Sequence, residues 1–233
     1  MRLNLVFHNI TKNNLKFDNK YTVNVEYFIE LINKIKRSIS RNICRFNDFE
    51  IYFDDGYNSF YDLIFPIFRN QLHKIKLALI IEKINQKGYL NDYEIEKIIK
   101  NGVQIVSHGV SHSALTVYKN DHLQPTPLGG DYKNTPRGKN ETLYSNQVLY
   151  QLIESKNTLE KKFKIKCDEF VFPYGLYNDN IIALNNKYRI YQTMSTCDEY
   201  LDKDYAIKPR ILIDNEKTVQ DTINFLNNLS GLN

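Results

Sequence analysis

The apolar positions of the chain alternate between two periods. LNLVF (3–7), FEIYF (49–53), IKLALII (75–81), VQIVS (103–107), EFVF (169–172), YRIYQT (188–193) and IKPRILI (207–213) are short and apolar-rich, which predicts strands. Between them the spacing lengthens to that of a helix. In 25–37 Phe28, Leu31, Ile32 and Ile35 fall on one stripe, with Asn24 placed to cap it. In 91–102 Asn91 and Glu94 form a capping-box pattern, and Gly102 marks the stop. Further helices are predicted over 145–163, 178–187 and 218–229, and a helix-like stretch over 59–71 that Pro66 must kink or restart.

Strand followed by helix, repeated, means a parallel sheet covered by helices, either doubly wound or closed into a barrel. No linker, repeat or change of composition divides residues 1–233, so one domain is expected. The polar stretch 116–143 exceeds an ordinary connection and is expected to border the site that the preceding motif builds.

Composition narrows the partners. With 42% apolar and 25% charged residues and a net charge of +4, the chain has the balance of an ordinary globular protein. Its lysine clusters, NKIKR, EKIIK and EKKFKIK, lie on or beside amphipathic patterns and read as solvated helix faces, so no nucleic-acid partner is expected. Cys44, Cys167 and Cys197 are far apart and odd in number, which argues against a disulfide framework and a cysteine zinc site. There is no stretch of transmembrane length and no signal-peptide pattern at the start, and a cytoplasmic, reducing location is the expectation.

In parallel α/β folds ligands bind at the carboxyl ends of the strands. Asp54 and Asp55 follow FEIYF, His108 and His112 follow VQIVS, and Pro173, Tyr174 and Gly175 follow EFVF. Each motif alone has an ordinary reading. Asp-Asp-Gly is a turn, and two histidines four apart are more often surface or packing residues. On one rim they point to a divalent-metal site. Histidines at i and i+4 can reach one cation, and two His with one carboxylate leave a coordination position for water, as in catalytic zinc sites. The second carboxylate is then free to act as a base, and adjacent like charges become tolerable because the cation neutralises one.

Taken in order, YFDDGY, GVQIVSHGVSH and VFPYG resemble the motifs of the NodB-homology polysaccharide deacetylases, carbohydrate esterase family 4, and the resemblance extends over roughly residues 1–215. It implies a distorted (β/α) barrel of about seven parallel strands and hydrolytic removal of an N-acetyl group from a sugar. Carried over by motif, Asp54 is the general base, and Asp55, His108 and His112 hold one divalent ion, zinc first. The Tyr174 N–H faces the oxyanion, and Pro173 and Gly175 line the substrate groove. Tyr57 and Arg210 are candidate substrate contacts, with Tyr57, Tyr174 and Tyr177 able to stack on a sugar ring.

Two departures stand out. The family's Arg two residues before the Pro is Val171 here, a loss that Arg210 could repair by holding Asp54. No histidine lies beyond His122 to supply the family's C-terminal acid. His8, ending the first strand, is the candidate acid, whereas His73 and His122 read as non-catalytic. The expected partner is an N-acetylated sugar or glycan, nucleotide- or lipid-linked, in glycan or surface-polysaccharide biosynthesis. A sugar N-deformylase and a non-catalytic carbohydrate-binding module are the alternatives. An Fe(II) oxygenase triad is disfavoured by the α/β pattern.

Overall fold

The computed structural model describes residues 2–12, 19–43, 46–118, 140–142, 145–197 and 207–229. In chain order it runs β1 (Arg2–Phe7), β2 (Asn9–Thr11), β3 (Thr22–Asn24), α1 (Val25–Ser40), β4 (Asp48–Phe53), β5 (Ile75–Leu79), α2 (Asp92–Lys100) and β6 (Gln104–Ser107). There follow β7 (Thr116–Tyr118), β8 (Asn140–Thr142), α3 (Ser145–Phe163), β9 (Glu169–Val171), α4 (Asp179–Tyr188), β10 (Thr193–Cys197), β11 (Lys208–Leu212) and α5 (Val219–Leu229). Seven strands close a barrel in the order β1–β11–β10–β9–β6–β5–β4, all parallel. Of the two architectures open to the periodicity, the molecule adopts the closed one. Among the described residues no helix is long and apolar enough to cross a membrane.

Strand alternation sorts the side chains into two environments. Leu3, Leu5, Phe7, Ile51, Phe53, Leu77 and Leu79 face outward into the large core under the helices. There the α1 stripe of Phe28, Leu31, Ile32 and Ile35 is buried, with the Phe28 ring 4.9 Å from Phe7. Val6, Tyr52, Ala78, Val106 and Val171 instead meet as an apolar belt inside the barrel. Two residues earlier along their strands, the same alternation carries Glu50, Lys76 and Glu169 inward, and Lys208 two before Arg210. These four form a charged floor. Lys76 Nζ lies 2.7 Å from Glu169 and 3.4 Å from Glu50, and Lys208 Nζ 3.0 Å from Glu50. Two residues later the register delivers Asp54, His108 and Pro173 to the opposite, carboxyl-end rim.

Local chemistry sets the element ends where expected. Asn24 accepts from the Glu26 N–H at 2.7 Å, and both halves of the Asn91–Glu94 capping box are formed at the start of α2. Elsewhere the sequence reading is corrected. YRIYQT is not a strand: Tyr188 ends α4, Arg189 takes a left-handed φ of 52°, and the Asn185 side chain clasps Tyr191 N–H and C=O at 2.9 and 3.0 Å. The strand begins at Thr193. The stretch 59–71 is not one kinked helix but a π-helical turn, Phe60–Ile64, and a 3-10 turn, Arg69–Lys74. Pro66, with no N–H to give, ends the first after Phe65 N–H has bonded Phe60 C=O. β5 stops at Leu79, because Ile81 and Glu82 turn their N–H groups to Gly109 and Val110 C=O. Of the long segment 116–143, residues 116–118 pair antiparallel with 140–142, and 119–139 and 143 lie outside the described residues.

Candidate active site

Asp54 leaves β4 with its N–H bonded to Phe7 C=O at 2.9 Å, a contact that continues the β1–β4 ladder by one residue. The residue is 1% exposed. Arg210, 0% exposed, grips it through both terminal nitrogens, Nη1 to Oδ1 at 2.8 Å and Nη2 to Oδ2 at 3.0 Å. Burial alone would raise the Asp54 pKa, but the Arg210 guanidinium, with His108 and His8 nearby, reverses this and holds it below the usual carboxylate value. Asp54 is thus kept ionised although buried. Arg210, expected to hold Asp54, to contact substrate or to be an exposed charge, is wholly buried and paired with Asp54, which leaves it unable to be an exposed charge.

Asp55 turns away from its neighbour on a left-handed φ of 71°. Its Oδ1 is buried and receives no hydrogen bond, yet lies 3.5 Å from His108 Nε2 and 3.4 Å from His112 Nε2, with the two Nε2 atoms 3.2 Å apart. His108 Nδ1 lies 2.9 Å from Val171 C=O, which places the proton of the neutral ring on Nδ1 and its Nε2 lone pair toward the cluster. Burial lowers the His108 pKa, but Asp55 and Asp54 outweigh burial and raise it, so without a cation the ring is readily protonated. His112 also has a left-handed φ, 61°. Burial and the His108 charge bring its pKa down to about 4, so it is a neutral donor near pH 7. The Asp55 carboxyl, which burial would raise, is held far below its normal range by the surrounding histidines, His108 foremost. Three donor atoms lie within 4.8 Å of one another. An orphaned carboxylate oxygen facing two imidazole lone pairs fits a divalent cation, and this donor set suits zinc.

A residue not foreseen holds this geometry. Gln151 sits on the buried stripe of α3, and its Oε1 accepts the N–H groups of Val110 at 2.8 Å and Ser111 at 3.3 Å, bracing the turn between the histidines. The available signal was a glutamine at a core-facing helical position.

The other expected residues gather around this cluster to different degrees. His8 follows β1, its ring 5.2 Å from Tyr21, with Nδ1 buried and unpartnered. Tyr174, at a φ of 58°, brings its ring to 4.6 Å from His112. Pro173 and Gly175, expected to line the groove, are buried, so they shape the loop and leave Tyr174 to face the site. Tyr57 stacks on Tyr89 at 5.0 Å; burial, then the adjacent Asp55 charge, pushes its phenol pKa up. Tyr177 packs on Phe172 instead of facing the rim, and His73 is exposed in the 3-10 turn before β5. His122 and Cys44 lie outside the described residues.

A polysaccharide deacetylase family profile matches residues 47–193, a span that contains the aspartates, both histidines and the Pro-Tyr-Gly loop. The chain is 23% identical over 137 residues to the provisionally named polysaccharide deacetylase YxkH of Bacillus subtilis, a match covering 59% of this chain and 40% of that protein. Among solved structures it resembles a de-N-acetylase from Aggregatibacter actinomycetemcomitans, with a TM-score of 0.74 at 19% identity over 96% of this chain and 99% of the other. It also resembles the Streptococcus pyogenes deacetylase PplD, solved with acetate, with a TM-score of 0.70 at 17% identity over 96% and 97% of the two chains. These two likenesses are of fold.

Proposed function

The chain belongs to the polysaccharide deacetylase family, and from that premise we propose that it hydrolyses N-acetyl groups on a glycan, with Asp54 as base beside a divalent ion held by Asp55, His108 and His112. The observation that carries this reading is the Asp55 Oδ1, buried, without a hydrogen-bond donor, and aimed at two imidazole nitrogens. When bound, the ion supplies Lewis acidity to the acetamide carbonyl and to the attacking water.

The chain's own groups divide the remaining work. Asp54, ionised under Arg210, takes a proton from the water as its oxygen bonds the carbonyl carbon. The Tyr174 N–H, on its left-handed loop, is the proposed donor to the oxyanion. As the carbon–nitrogen bond breaks, the departing amine needs a proton, and His8 is the proposed source. The products are acetate and a sugar amine. Tyr174, whose ring lies 4.6 Å from His112, and Tyr57 are the proposed faces on which a sugar stacks. An ion-paired, buried Asp54 favours catalysis over a binding module, since binding alone requires no base.

The test is acetate release from N-acetylglucosamine oligomers by zinc-loaded protein, wild type against Asp54→Asn. Release by wild type, with a loss of about 10²–10⁴-fold in the variant at unchanged metal content, is the expected result. Turnover by Asp54→Asn equal to wild type would overturn the mechanism. Formate release from formamido sugars, without acetate release, would favour the deformylase reading.

A further inference from the structure

The inside of the barrel holds buried groups that the reaction does not use, and one of them touches the machinery from below. Tyr52 spans the belt. Its ring faces the Arg210 guanidinium, whose Cζ lies 4.8 Å from the ring centroid. Its hydroxyl reaches the charged floor, donating to Glu169 at 2.8 Å and accepting from Lys208 Nζ at 2.8 Å. Glu169 is itself held by Lys76 Nζ at 2.7 Å and by the Ser195 hydroxyl.

The need for such a contact follows from the geometry of the Arg210–Asp54 pair. Two parallel hydrogen bonds fix guanidinium and carboxylate relative to each other, but leave the pair free to hinge as a unit. A third directional bond to the guanidinium would stop this. Arg210 Nε, buried and without a hydrogen-bond partner, does not supply it. Nη2 has the Cys197 sulfur at 3.4 Å, a weak acceptor. The remaining constraint on the plane is the aromatic face, which attracts a cation most strongly where water is excluded.

We infer that Tyr52 is a positioning residue for the base: its ring, lying against the guanidinium, sets the plane of Arg210 and thereby the direction of Asp54. This rests on the reading of Asp54 as base. Register makes the relay possible, because Glu50, Tyr52 and Asp54 are alternate residues of one strand and its continuation, all facing inward. Arg210 enters from β11 into the same interior.

The test reads Arg210 directly in zinc-loaded, 15N-arginine-labelled protein, assigning its side-chain N–H resonances by through-bond transfer from the Arg210 backbone. Wild type should show resolved, slowly exchanging terminal N–H signals displaced upfield by the ring. Averaged or undisplaced signals in wild type would overturn the inference without any variant. Tyr52→Leu should lose the displacement and about tenfold in kcat with KM unchanged within about twofold, while Tyr52→Phe, which keeps the ring, should retain the displacement and kcat within about threefold. A folded Tyr52→Leu with wild-type Arg210 signals, or a Tyr52→Phe as impaired as Tyr52→Leu, would contradict the positioning role. The spectroscopic arm needs no substrate. Failure to turn over any acetylated sugar would therefore strike the proposed function and leave the Tyr52 result to stand or fall on its own.

Discussion

Asp54 is 1% exposed and Arg210 0%, so each is the other's substitute for water. Removing one partner of such a pair leaves a buried charge uncompensated, which costs about 3–5 kcal/mol. Arg210→Met should therefore lower unfolding free energy in urea by that amount, and the double variant Asp54→Asn/Arg210→Met by clearly less than the two single losses added. Additive losses would mean that the pair is not coupled. At the other side of the cluster, His8→Ala tests the proposed acid: a kcat loss under about threefold would exclude it. The sequence could not settle Arg210 because strand alternation puts Lys208, Arg210 and Leu212 on one face without saying which face lies inside. The carboxylates and histidines were legible because their chemistry requires both partners and the strand ends placed them on one rim.

Among the elements, those with strong period and terminal chemistry were readable, as α1 and α2 demonstrate. Asn91→Ala, which removes the capping box, should cost about 1 kcal/mol of stability and leave metal content and turnover unchanged. β10 was missed for a physical reason. TMSTC carries buried Ser195 and Thr196 where a strand signal would need apolar residues, and their hydroxyls are satisfied by Glu169 and, at 2.7 Å, by Gly175 C=O. That strand also fixes the Pro-Tyr-Gly loop. Gly175 has φ of 69°, and a Cβ there would meet Cys197 N and Thr196 Oγ1 at 3.0 Å and Cys197 O at 3.2 Å. Backbone atoms cannot yield as a flexible side-chain end can. Gly175→Ala should therefore move Tyr174 and reduce kcat/KM by about tenfold or more, with metal content intact. Wild-type kcat/KM in that variant would remove the Tyr174 loop from the mechanism.

At the scale of the whole molecule, periodicity alone left open whether the sheet closes, because closure depends on pairing the first strand with the last, Val6 opposite Leu212. The resemblance supplied the barrel, and neither source predicted its charged floor. That floor has a measurable consequence. Burial would raise the Glu50 and Glu169 carboxyls, but Lys208 and Lys76 outweigh it and hold both below the ordinary 4.5. Carboxyls depressed in the folded state are protonated first in the unfolded chain. They stabilise the fold above about pH 4.5, and that contribution is lost as acid takes the pH down through their folded values. The urea midpoint should fall as the pH is taken below about 5, more shallowly in Glu169→Gln than in wild type. A midpoint level down to about pH 3 would show that the floor carries no such linkage.

The measurement that bears most directly on the proposed chemistry is metal content by elemental analysis, on wild type beside His108→Ala and Asp55→Ala. About one tightly held divalent ion per chain in wild type, lost from both variants, is the expected result. No bound metal in any of the three, even after reloading with zinc, would contradict a metal-dependent hydrolase at this rim.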